Sequence, residues 1–195
     1  MSNATQLKCD QNSGRFLDHM VPRNDDRESP TLDAVRALLG EIEAKAEQGE
    51  KDRMLVGELV DKMSDAGIFR MLVPKQYGGD NLTALQMNAV IEELATADAA
   101  AAWTAMVAVG FNIAMAQYPK ATVEQIYANG PDVRMRGAVA PTGKAEKVEG
   151  GYRLTGRWPF GSGPFKPEWM FGGAICHENG LSLIHISEPT RQDRI

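Results

Sequence analysis

The stretch from Arg136 to Trp169, RGAVAPTGKAEKVEGGYRLTGRWPFGSGPFKPEW, holds the residues best suited to chemistry. Its glycines let backbone N–H groups approach a ligand closely. A flat side chain such as Trp158 covers an aromatic ring by stacking. A hydroxyl such as Ser162 bonds a ring nitrogen. Together these residue types describe a site for a planar heteroaromatic ligand with polar edges. The plainer alternative is a glycine-rich hairpin with a core tryptophan, and composition alone favours it.

Other chemistries find little support. There is no P-loop, no GxGxxG after a strand and no HExxH. His19 and His177 have no Cys or His close in sequence, so no metal site is expected. GxSxG is absent, and Gly161-Ser162-Gly163 is a looser triplet. Cys9 and Cys176 lie far apart, which argues against a disulfide framework. The formal net charge of −5 argues against a nucleic-acid partner, because phosphate binding needs a basic face. No apolar run is expected to cross a membrane, and the polar N-terminus lacks a signal-peptide core. Cytoplasm is the expected location.

The elements that must position the site fall into two blocks. Residues 1–28 are polar and read as a disordered leader. A helix opens at Pro30 or Thr31, with Thr31 as N-cap. Leu32, Val35, Leu38, Leu39, Ile42 and Ala46 repeat at helical spacing, and residues 47–53 read as a break or solvated turn. A second helix spans about 55–66 and stops at Gly67. Residues 68–73 are a short apolar run, and Tyr77-Gly78-Gly79-Asp80 is a turn. Thr83 caps a third helix to residue 94 or 95. Residues 99–117 lack a polar stripe and predict a helix buried on most sides. A short helix covers residues 122–128.

The period then changes. Val133, Met135, Ala138 and Val139 read as extended. Residues 144–148 and 152–156 flank Glu149-Gly150-Gly151 as a β-hairpin, and residues 169–176 form a further strand. The fold class is therefore α+β. A helical domain over 29–132 is followed by a partial antiparallel β domain over 133–180.

Residues 181–191, LSLIHISEPTR, resemble the translation of a transposase adapter used in making sequencing libraries. We set residues 181–195 aside as a non-native tail. The alternative is an ordinary C-terminal segment.

Three motifs in order carry a family resemblance. The run from Gly67 through Val73-Pro74-Lys75-Gln76-Tyr77-Gly78-Gly79 comes first. Ile91-Glu92-Glu93-Leu94-Ala95 with Asp98 follows. Gly150-Gly151-Tyr152-Arg153-Leu154-Thr155-Gly156 with Trp158 is the third. In this order they resemble the acyl-CoA dehydrogenase superfamily. In the dehydrogenases proper a Thr-Glu-Pro stretch meets flavin, and this chain has Val139-Ala140-Pro141. Their Trp-Ile-Thr-Asn pattern is replaced by Trp158-Pro159-Phe160-Gly161-Ser162-Gly163.

With Ala140-Pro141-Thr142-Gly143-Lys144-Ala145, these departures resemble a sister branch, the two-component flavin monooxygenases acting on aromatic rings. That resemblance implies FAD or FMN as cofactor. It places Ser162 beside flavin N5 as the candidate catalytic group, with Trp158 and Phe160 shaping the site and Val139, Ala140 and Thr142 at the ring edge. It further implies a flavin reductase partner, a small-molecule substrate, a homo-oligomer and a missing C-terminal helical domain. The rival implication is an acyl-CoA dehydrogenase with FAD and an electron-transfer flavoprotein. A third is an inert fragment or a non-enzymatic flavin-fold protein.

Some members of the sister branch carry a substrate-contacting His near residues 109–112; this chain has none there. Asn112 and Phe111 remain as pocket candidates, with a core role for Asn112 equally open. Trp103 reads more as core than as substrate wall. The expected frame is a hairpin bearing Tyr152 and a loop bearing Ser162, forming one wall of a cleft.

Overall fold

The computed structural model describes residues 24–178 and 181–191; His19, Cys9 and most of the expected leader lie outside them. A 3-10 turn at Asn24–Arg27 leads into helix α1, Pro30–Asp52. The helix cap is Ser29, not Thr31: the Ser29 hydroxyl accepts from the Leu32 N–H at 3.1 Å, and Pro30 occupies the first helical position. Residues 47–52 continue the helix instead of breaking it. They contain good helix formers, joined one turn apart by Lys51–Glu47 and Gln48–Asp52 contacts. The chain leaves the helix at Arg53, which adopts φ 53°.

Helix α2, Gly57–Asp65, ends before Gly67 at φ 87°, the left-handed exit expected there. Short 3-10 turns at Ile68–Arg70 and Lys75–Tyr77 follow. Gly79 is obligatory in this motif: a Cβ there would stand 2.1 Å from the Val73 carbonyl oxygen. Helix α3, Ala84–Ala97, opens with a reciprocal Thr83/Gln86 capping box. Asp98 caps helix α4, Ala99–Ala114, by accepting from the Ala100 and Ala101 N–H groups. Helix α5, Lys120–Ile126, closes the helical block.

Two expectations about residues 99–117 need correction. By length and composition this segment is apolar enough to cross a membrane. It is also not buried on most sides. Ala101, Ala105, Ala108 and Val109 face the core, while Trp103 is 56% and Ile113 61% exposed. Trp103 is thus not a core residue.

The sheet has the order β2-β1-β3-β4, built from β1, Met135–Val148, β2, Gly151–Thr155, β3, Trp169–Glu178, and β4, Leu181–Arg191. The β1–β2 hairpin and the β3–β4 pair are antiparallel as expected, but the central β1–β3 pair is parallel. Residues 156–168 carry the chain back along the sheet, so β3 starts level with the beginning of β1. The segment set aside as a tail provides β4. An open sheet edge offers free backbone groups to any extended segment, and residues 181–186 alternate enough to extend.

A first core lies among α1 to α4, with Leu32, Ile42, Leu59, Met63, Phe69 and Leu94 buried. A second joins the helices to the sheet through Phe111, Met115, Ile126, Met135, Trp169 and Phe171. Phe111 of α4 stacks on Phe171 of β3 with ring centroids 4.5 Å apart. At the seam, Arg70 holds both Asp80 and Asp132, and burial outweighs that pairing to push the Asp132 carboxyl above its ordinary value.

Candidate functional site

The site region starts from an irregularity in β1. Toward β3, Ala138 pairs with Gly172 and Gly143 with Ala174, so four residues, 139–142, stand opposite Gly173 alone. The chain bulges there, and side chains cannot be accommodated beneath it. A Cβ on Gly173 would lie 2.3 Å from the Val139 carbonyl oxygen. Val139 and Ala140 are left exposed, Val139 to 77%.

Toward β2 the same strand keeps its register. The pairing that sets Lys144 opposite Thr155 extends past the end of β2. The Thr142 hydroxyl donates to the Arg157 carbonyl at 3.0 Å, and the Gly137 N–H donates to the Ser162 carbonyl at 3.0 Å. Residues 157–162 therefore run beside the bulge, and continuing the register sets Phe160 opposite Val139. Phe160 is 91% exposed at φ 58°, a conformation unfavourable for a bulky side chain. The two exposed apolar side chains and the Ser162 hydroxyl thus meet at one place on the sheet. The Ser162 hydroxyl donates to the Phe160 carbonyl at 3.3 Å.

Trp158 holds this arrangement down. Its indole sits in a notch made by Gly143, Gly156 and Gly172; a Cβ on Gly143 would lie 2.3 Å from the ring. Its N–H donates to the Gly173 carbonyl at 2.6 Å, tying the loop to the strand under the bulge. Sequence reasoning gave Trp158 a stacking role and missed this notch. The spacing of Gly143, Gly156 and Gly172 carried a signal, but only pairing makes them neighbours. It also missed Arg136, whose Nε donates to the Gly161 carbonyl at 2.9 Å, with a second donor from Nη2.

The candidate pocket residues are not brought together. Trp103 and Asn112 lie on opposite sides of α4. Phe111 is buried against Phe171. Asn112 is buried, donates to the Phe69 carbonyl at 3.0 Å and accepts from the Tyr127 hydroxyl at 2.7 Å. Burial pushes the Tyr127 hydroxyl well above the ordinary phenol range, so it remains a donor. The grouping of Trp103, Phe111 and Asn112 in one pocket is corrected on these grounds: their side chains point in different directions, and two are spent on the interior. Tyr152 pairs with Lys147 near the hairpin tip, so the hairpin and the Ser162 loop are continuous but Tyr152 stands far from the hydroxyl.

The donor set fits a planar heteroaromatic ring: two exposed apolar side chains, an adjacent hydroxyl and bulged backbone at the edge. Comparison with known proteins agrees with this chemistry. Residues 26–128 match the model of the acyl-CoA dehydrogenase N-terminal domain. Indole-3-acetate monooxygenase of Pseudomonas putida is 33% identical over 83% of this chain and 42% of its own length. The HsaA monooxygenase of Mycobacterium tuberculosis superposes with a TM-score of 0.79 at 27% identity, over 83% of this chain and 43% of that one. XiaF from Streptomyces sp., solved in complex with FADH2 and glycerol, gives a TM-score of 0.78 at 23% identity, over 83% and 41%. The chain spans about two fifths of the length of the curated relatives it matches. It belongs to the acyl-CoA dehydrogenase superfamily, among relatives that are flavin-dependent monooxygenases.

Proposed function

We propose that this chain is the amino-terminal part of the oxygenase of a two-component monooxygenase. That enzyme takes reduced FMN or FAD from a separate reductase and hydroxylates an aromatic or related small molecule. The observation that carries this reading is the meeting of Phe160, Val139 and Ser162 beside the bulge. Relatives named for indole-3-acetate and resorcinol support the substrate class, and the name "oxygenase component" supports a reductase partner. In this reading the protein works in the cytoplasm as a homo-oligomer, and its natural sequence replaces residues 181–195. The chain alone is inactive.

A bound flavin would supply the reaction of its reduced ring with dioxygen and the transfer of one oxygen atom to substrate. The chain's own residues prepare the place. Phe160 and Val139 offer apolar surface to a ring and displace water from it. The Ser162 proton is directed to the Phe160 carbonyl, which leaves its lone pairs for an N–H on the ligand. A reduced isoalloxazine carries such an N–H at N5 and an oxidised one does not. Ser162, so held, favours the reduced ring. Val139, Ala140 and Thr142 border the ring edge, and Trp158 fixes the bulge from below.

Mixing the whole protein with reduced FMN or FAD, oxygen and indole-3-acetate or resorcinol tests the reading. Hydroxylated product labelled from isotopic dioxygen is the expected result. The rival dehydrogenase, oxidising an acyl-CoA thioester with FAD, has the family model in its favour. Anaerobic bleaching of bound FAD by an acyl-CoA, without hydroxylated product, would establish it instead. Phe160→Gly separates site from fold. Relief of the φ 58° strain raises the melting temperature, by about 1 kcal/mol of stability, while reduced-flavin affinity falls about 10-fold. Unchanged affinity in that variant removes Phe160 from the site.

A further inference from the structure

The loop that carries Phe160 and Ser162 has a conformation its own sequence does not favour. Phe160 sits at φ 58° and Gly163 at φ 130°. Ser162 touches β1 through one backbone bond to Gly137. Between them, the Gly161 carbonyl turns inward and takes the Arg136 guanidinium through both Nε and Nη2. Arg136 thus spends two donors on one backbone oxygen. This differs from Arg134, two residues earlier, which pairs with the carboxylates of Asp61 and Glu168. The fit around Arg136 is close: a Cβ on Gly163 would stand 2.6 Å from the Arg136 Cβ.

We infer that Arg136 is a positioning residue for the flavin site. Its fork fixes the peptide between Phe160 and Ser162, and so sets the direction of the ring and of the hydroxyl together. Charge-assisted bonds to a carbonyl are stronger than neutral ones, and a planar fork restrains direction as well as distance. The inference rests on the flavin reading of the preceding section.

The test uses the whole protein with Arg136→Met and Arg136→Lys. Three quantities are read: the melting temperature, the affinity for chemically reduced FMN or FAD under anaerobic conditions, and the absorption spectrum of the bound flavin. Arg136→Met is expected to melt within a few degrees of the parent, bind reduced flavin about 10-fold more weakly and show a shifted bound-flavin spectrum. Arg136→Lys, which keeps a charged donor, is expected to recover part of both losses. Parental affinity and spectrum in Arg136→Met overturn the inference. Should Arg136→Met fail to fold, parental affinity and spectrum in Arg136→Lys overturn it, because a single point charge does not reproduce the fork. A parent protein that binds no flavin overturns the functional reading instead, so the two failures are distinct.

Discussion

Gly137→Ala lowers stability by about 3 kcal/mol or more and abolishes flavin binding. A Cβ at Gly137 would lie 2.2 Å from the Phe171 carbonyl oxygen and 2.7 Å from the Phe171 Cβ. Phe171 has no room to retreat, because it is buried and stacked on Phe111. The strands themselves must separate, at the residue whose N–H holds Ser162. Gly151→Ala is the matched control. Its Cβ would meet nothing within 4 Å, and the expected change is under about 0.5 kcal/mol. Urea unfolding of both variants measures the difference. Equal stability would show that β1 and β3 are not paired in the described register.

Asn112→Leu is the second large effect, at about 3 kcal/mol. The substitution keeps the volume and removes both hydrogen bonds. The Phe69 carbonyl and the Tyr127 hydroxyl then stay buried without that partner, and each such group costs about 1–3 kcal/mol. Tyr127→Phe deletes a single bond and its donor together, so its loss is smaller, about 1 kcal/mol. Urea unfolding again decides. A Leu variant with parental stability but weakened substrate binding would return Asn112 to the substrate pocket.

Local signals in the sequence were read well where the structure is local. Gly67 at the end of α2, Thr83 before α3 and Gly150 in the hairpin each do what their residue types require. The end of α1 was missed because charged residues suit a solvated turn and a helix surface equally. One-turn pairing such as Lys51–Glu47 settles it for the helix. The exposed side of α4 was missed because an apolar sequence does not say which of its faces finds a partner. The parallel β1–β3 pair was out of reach for another reason. Residues 156–168 show no periodicity, and strand direction is decided by where that segment returns.

The candidate site divides in the same way. Ser162 and Phe160 stood out by residue type and by family resemblance, and the structure places them beside Val139. The role of Arg136 depends on a carbonyl 25 residues away, which no short pattern reveals. The pocket candidates on α4 failed for a geometric reason. Trp103 and Asn112 are nine residues apart, which on a helix means opposite faces.

Unbroken pairing between β1 and the returning strand makes the hairpin a measuring device for the hydroxyl. One residue gained or lost anywhere from 151 to 161 would slide Ser162 by ~3.3 Å along its neighbour and turn it to the reverse side of the ribbon. Extra residues at Glu149-Gly150 would only lengthen the tip. Natural variants of this protein should therefore differ in length at the tip and keep a fixed count in the arm.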